Sequence, residues 1–249
     1  AAVRVFEVRD LADEVAPRPS KRILSRRMAP VAGAGMALAA CLALLIAPKA
    51  LLWWQADYTT GTAQQQSIRL ADGTDVELAP QSAIAVDYKG SQRNIRLLKG
   101  RAFFKVTHDA ARPFAVDAHS VRTTDIGTAF EVAFEADSTD IAVVQGAVQV
   151  DASPSFRISE HLQAGQAIRV GWTGGFHRAN ADGNEIAAWR HGQLIASDQP
   201  VSDVVEKLRP YFKGMIVLAS SDFAARRVTG VYVLNNPLGA LHALAQAHE

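Results

Sequence analysis

Leu70-Ala71-Asp72-Gly73-Thr74-Asp75-Val76-Glu77-Leu78 sets a turn dipeptide ahead of a run in which Val76 and Leu78 alternate with Asp75 and Glu77. Successive side chains of a strand point to opposite faces, so this alternation marks one dry and one wet face. Asp72-Gly73 is a hairpin signal, read here as two residues at positive φ. The same period returns downstream, where Phe130, Val132 and Phe134 alternate with Glu131 and Glu135. Short apolar runs recur at residues 83–86, 94–98, 102–106, 114–116, 141–144, 147–150 and 167–170. Lys89-Gly90, Lys99-Gly100, Gln145-Gly146 and Gly165 punctuate them. Strands spaced by about 8–12 residues with turn signals between them predict an all-β sandwich or solenoid over residues 59–171.

Upstream the pattern changes. Val31 to Ala47 is 17 residues without a charge, and Ala50-Leu51-Leu52-Trp53-Trp54 resumes it after Pro48 and Lys49. Seventeen helical residues rise about 26 Å, near the bilayer core thickness of about 30 Å. Residues 30–54 are therefore expected to cross a membrane, with Trp53, Trp54 and Tyr58 in the aromatic belt. Arg18, Lys21, Arg22, Arg26 and Arg27 precede the span, so the positive-inside rule puts residues 1–29 in the cytoplasm and everything beyond Tyr58 outside. The rival reading is a cleaved export signal, because Ser25-Arg26-Arg27 resembles a twin-arginine signal; it exports the same residues. Residues 1–29 carry Pro17, Pro19 and mixed charge and read as a juxtamembrane linker, either a solvated tail or a short helix over residues 3–15.

Downstream, residues 172–185 are Gly-rich and polar and read as a linker. Beyond it Gln193–Ala196 is a strand and Pro200 opens a helix with Val201, Val204, Val205, Leu208 and Phe212 on one face. Strands follow at Met215–Leu218 and Arg227–Leu234. Asn236 then caps a helix begun by Pro237, with Leu238, Leu241 and Leu244 on its face. Residues 186–249 thus form a small α+β module of two βα units, with a closing strand expected after Glu249. The fold class is mainly β: one membrane helix, an all-β domain, then this module.

The chain has 249 residues, 49% hydrophobic and 20% charged, with a formal net charge of +1. That is enough apolar matter for a core, and no basic excess for binding nucleic acid directly. A single cysteine, Cys41, excludes an internal disulfide and a Cys-based zinc cluster. The seven histidines show no metal-ligand spacing, and no nucleophile elbow, phosphate loop or dinucleotide fingerprint occurs. No cofactor and no metal are expected, and the chain is not read as an enzyme. One segment invites chemistry, Asp125-Ile126-Gly127-Thr128-Ala129-Phe130. If its backbone is strained, the Thr128 hydroxyl attacks the Gly127 carbonyl and water cuts the resulting ester. The plainer reading is a turn glycine followed by a strand threonine.

Several motifs in order resemble a known family. They are Ile95-Arg-Leu-Leu-Lys-Gly-Arg-Ala-Phe-Phe-Lys-Val106, His108-Asp109, Arg112-Pro113-Phe114-x-Val116, Gly127-Thr128-x-Phe130-x-Val132 and Val143-x-x-Gly146-x-Val148. Together with Ala188-Trp189-Arg190-x-Gly192-x-Leu194, they are similar to the FecR family of transmembrane anti-sigma regulators. Arg101 departs from the family, which usually has an acidic residue there, as do His119 and Ser120, near which the family has a Gly, and Pro210, where an Arg is common. Residues 186–249 are similar to the STN module of secretins and TonB-dependent receptors.

The resemblance implies a single-pass inner-membrane signal transducer with its C-terminal domains in the periplasm. The partner there would be the N-terminal signalling domain of a TonB-dependent outer-membrane receptor, serving iron-source uptake. In the cytoplasm an N-terminal domain, for which residues 1–29 are too short, would govern an extracytoplasmic-function sigma factor. Some relatives are clipped at their Gly-Thr pair by an N–O acyl shift, which singles out Gly127 and Thr128 as a single-turnover processing site. Strand addition or helix docking on the module points to Val231, Val233, Leu238 and Leu241 as partner contacts, although the leucines are better suited to the module's own core. Two alternatives stand beside the transducer: a membrane-tethered periplasmic binding or assembly module without sigma regulation, and an exported all-β enzyme.

Overall fold

The structure, a computed structural model, describes residues 3–6, 54–90, 92–152 and 157–246. Apart from Trp54 the expected membrane span lies outside the described residues, and among these no helix is long and apolar enough to cross a membrane. Ala1–Phe6 and Ala56–Glu249 form one compact unit.

The strands in chain order are β1 Val3–Phe6, β2 Tyr58–Thr59, β3 Gln66–Arg69, β4 Asp75–Leu78, β5 Ala83–Lys89, β6 Gln92–Lys105, β7 Phe114–Ala118, β8 Val121–Asp125 and β9 Ala129–Phe134. They continue with β10 Ser138–Gln145, β11 Ala147–Ala152, β12 Ile158–Gln163, β13 Gln166–Gly171, β14 Phe176–Asn180, β15 Gln193–Pro200, β16 Met215–Leu218 and β17 Arg227–Val233. Three α-helices lie among the last of them: α1 Val201–Leu208, α2 Ser221–Ala225 and α3 Pro237–Gln246.

Strands β2 to β14 form one connected system folded about β6. The first half of β6 pairs with β5 and, in parallel, with β7; its second half pairs with β4 and β9. The sequence read Lys99-Gly100 as a turn between two strands. Instead the strand runs through it, with Gly100 at φ +77°. A Cβ there would meet the Ser82 Cα at 2.7 Å and the Gln81 carbonyl at 2.9 Å, so glycine allows the corner and the close approach together. The two halves share one core, in which Ile84, Ile95, Phe104, Phe114, Phe130 and Val132 are fully buried. Phe104 sits 5.4 Å from Phe130 and 5.8 Å from Phe114, ring centre to ring centre.

The Asp72-Gly73 hairpin forms between β3 and β4, with Arg69 opposite Asp75. Gly73 takes φ +84°, but Asp72 does not share the left-handed region as expected. Its carboxylate accepts from the Thr74 amide at 3.1 Å and hydroxyl at 2.8 Å, holding the turn by a side chain instead. Nor is Asp72 solvated: it pairs with Arg93 at 2.7 Å, and both side chains are 3% exposed. Burial pulls its pKa up, yet the bonds from Thr74 and Arg93 outweigh this and hold it below the ordinary carboxylate range.

The linker read at 172–185 contains a strand, Phe176–Asn180. β14 pairs with β13, from Gln166 opposite Asn180 to Val170 opposite Phe176. All five of its residues are exposed, so the backbone ladder forms without any apolar signature. Trp172 is anchored too, stacked on His119 at 4.5 Å with its amide donating to the Asp137 carbonyl at 2.9 Å.

Most elements of the terminal module stand where the sequence put them, but the helix opened by Pro200 ends at Leu208, short of Phe212, which is extended. β15 and β17 pair antiparallel, α1 buries Val201, Val204, Val205 and Leu208, and the Asn236 side chain accepts from the Gly239 amide at 3.0 Å at the start of α3. The short α2 was not foreseen. One apolar residue, Phe223, gives it no periodicity, and the Ser220 cap holds it by accepting from the Asp222 and Phe223 amides. Nor was β1 foreseen. Val3–Phe6, read as part of a linker, is extended and pairs antiparallel with β16, Arg4 lying opposite Val217.

Candidate functional site

The terminal module is docked on the outer face of the β-domain. Phe103, Ala79 and Ala129 of the sheet join Ile186, Trp189, Val201, Leu208 and Leu241 in one buried cluster. Polar groups fix the register. The Trp189 indole donates to Glu131 at 2.5 Å, and Arg101 reaches Glu131 at 3.3 Å and Glu135 at 2.8 Å. The Arg190 guanidinium lies 3.8 Å from the Phe103 ring centre and pairs with Glu77. Gln65 donates to the Trp189 carbonyl at 2.8 Å, and the Ala63 amide to that of Pro210 at 3.0 Å.

Two of the positions that depart from the family pattern, Arg101 and Pro210, lie in this seam. Burial lowers the pKa of Lys207 beside it, the Arg101 charge adding to the effect, and burial raises Tyr211 to about 12. Glu77 and Glu131 occupy positions the alternation assigned to a wet face. Alternation tells the two faces of a strand apart, but not what covers the outer one.

Of the anticipated contact residues, Val231 and Val233 are 59% and 54% exposed on β17, and Leu238 is 44% exposed at the start of α3. Alternation along β17 turns Val228 and Tyr232 inward and leaves these two valines outside. Leu241 does not join them. It is 1% exposed and packs within the module, on the inner stripe of the helix with Ala240 and Leu244, whereas Leu238 lies in the first turn at the edge of that stripe.

Gly127 and Thr128 lie in the connection between β8 and β9. Gly127 takes φ +87°, and Thr128 is 4% exposed. The Thr128 hydroxyl donates to the Asp125 carboxylate. Its carbonyl accepts from the Val106 amide at 3.0 Å, while the Ile126 amide donates to Ala147 at 3.1 Å. A Cβ on Gly127 would lie 3.3 Å from His108 Nδ1. Gly146 backs onto this corner so closely that a Cβ on it would collide with the Gly127 carbonyl oxygen. Sequence reasoning gave roles to Gly127 and Thr128 but none to Asp125, Gly146 or His108; the Asp-x-x-Thr spacing was the available signal for the first. Among the described residues no group of three or more His, Cys, Asp or Glu could hold a metal ion.

A bent β-sandwich with a small α+β module docked on its outer face is the class of structure these residues define. Residues 56–149 match the profile of the family described as FecR protein. No curated protein matches the chain. Two crystal structures of a "putative anti-sigma factor" from Parabacteroides distasonis ATCC 8503 share the fold. One, at 1.65 Å, has 24% identity and a TM-score of 0.69; the other, at 2.50 Å, has 21% and 0.65. Each alignment covers 76% of this chain and 90% of the other.

Proposed function

We propose that this chain is the receiving part of a transmembrane sigma regulator. Its terminal module, STN-like in its two βα units, takes up the N-terminal signalling domain of a TonB-dependent outer-membrane receptor. The cytoplasmic end governs an extracytoplasmic-function sigma factor, and the sensed ligand is an iron source. Residues 30–54 cross the inner membrane once. The observation that carries this reading is the FecR-matching domain at 56–149 with a module clamped to its outer face and two apolar valines turned outward. The fold shared with the Parabacteroides protein supports it further. The reading includes a single scission at Gly127–Thr128, supported by the positive φ of Gly127 and the buried, carboxylate-bound Thr128 hydroxyl.

One consequence separates this topology from its rivals. A single crossing at 30–54 puts Val3–Phe6 and Met215–Leu218 on opposite sides of the bilayer, so their pairing and the inserted state exclude each other. In a Cys41→Ser background, cysteines placed at the register partners Arg4 and Val217 should crosslink in detergent-free refolded protein. In intact inner-membrane vesicles they should not. Efficient crosslinking in the vesicles would overturn the single-pass topology.

A further inference from the structure

We infer that Asp125 is the proton carrier for scission at Gly127–Thr128, an assignment that rests on the self-cleavage reading above. Asp125 ends β8 three residues before Thr128 and accepts the Thr128 hydroxyl hydrogen bond. Among the described residues no cation pairs with this carboxylate. An ion-paired carboxylate is a poor proton acceptor; this one is held on the nucleophile and left uncompensated. Thr128 is buried, so bulk water does not compete as base. Gly146 completes the arrangement from the other side. A Cβ there would come within 2.9 Å of the Thr128 methyl and 3.2 Å of the Gly127 carbonyl carbon, so only glycine lets the chain close on the scissile group.

The step balances within the corner and one water. The Asp125 carboxylate takes the Thr128 hydroxyl proton as Oγ1 bonds to the Gly127 carbonyl carbon. The Gly127–Thr128 C–N bond then breaks, and Asp125 returns the proton to the departing Thr128 nitrogen. An ester now joins the two halves through Oγ1. Water adds to its carbonyl, releasing a Gly127 carboxylate and restoring the Thr128 hydroxyl beside a free amino group. Nothing is oxidised or reduced.

The test follows fragment formation by the full chain in detergent, on denaturing gels and by intact mass. Thr128→Ala should give no fragments, which checks the underlying reading. Asp125→Asn keeps an oxygen able to accept the hydroxyl hydrogen bond but cannot take its proton, so cleavage should slow about 100-fold. Its melting temperature should stay with the wild type. Asp125→Glu should restore part of the rate. Hydroxylamine, which traps esters, should not rescue Asp125→Asn, because ester formation is the slowed step. Wild-type speed in Asp125→Asn with Thr128→Ala inert would overturn the assignment alone. Rescue by hydroxylamine would overturn it too, by moving Asp125 to ester hydrolysis. A wild-type chain that stays intact would overturn both it and the self-cleavage reading.

Discussion

Asp72→Ala is expected to destabilise the β-domain by about 3–5 kcal/mol, the usual loss when one member of a buried ion pair is removed. Asp72 and Arg93 are each 3% exposed at the side chain and sit 2.7 Å apart. Without the carboxylate, Arg93 keeps its bonds to the carbonyls of Arg112 at 2.7 Å and Thr107 at 2.9 Å, and its place beside the Phe114 ring. Its charge then has no counterpart. The cost falls on three segments at once, since Arg93 ties the start of β6 to the β3–β4 hairpin and to the 107–112 loop. Urea titration of the variant checks the magnitude. Tyr88 shares this pocket, its pKa raised by burial and by the Asp72 charge.

The pH dependence has a fixed sign. The Asp72 pKa is lower in the folded state than the model-peptide value of about 3.9, so the unfolded chain binds the proton first. The stabilisation is present above about pH 4 and disappears as pH falls through the folded value. Asp72→Ala should flatten that acid limb; an unchanged limb would refute the role given to this pair.

Trp189→Ala is expected to cost a similar amount, about 3–5 kcal/mol, through the lost indole and the cavity it leaves. Its effect should be localised. Trp189 is 6% exposed between the module and the sheet, and its indole N–H satisfies Glu131, itself 7% exposed. Removal leaves Glu131 leaning on Arg101 alone at 3.3 Å. The module should then loosen from the β-domain, giving two thermal transitions where the wild type gives one, and protease should cut between residues 181 and 187. Trp189→Phe keeps an aromatic ring but loses the donor and part of the indole volume, so its cost should be smaller, about 1–3 kcal/mol. Equal losses in the two variants would mean that packing contributes little to the seam.

Much of this architecture was legible in the sequence, for a physical reason. A strand with one dry face must alternate, and β4 and β17 do. Helices α1 and α3 carried apolar stripes and start signals, so they were placed correctly. Elements without a dry face were missed. β14 is held by backbone bonds alone, and α2 is one capped turn around Phe223. The continuity of β6 through Gly100 was hidden because a glycine that bends a strand and one that ends it look alike in a sequence.

The seam was invisible for another reason. Glu77, Arg101 and Glu131 have the pattern of a solvated face, and only the arrival of Trp189 and Arg190 from more than 50 positions away makes them a docking surface. At the cleavage corner Gly127 and Thr128 were readable from local chemistry. Gly146 was not recognised there, because its closeness to Gly127 comes from the pairing of β8 with β11.

The receiver role itself is tested most directly by calorimetry. The full chain in detergent is titrated with the purified N-terminal signalling domain of a TonB-dependent receptor encoded beside it. The account predicts saturable one-to-one binding, weakened at least about 10-fold by Val231→Asp together with Val233→Asp, which bury charges at the contact without touching the module core. Absence of heat with every co-encoded receptor domain, under conditions where the chain melts cooperatively, would contradict it.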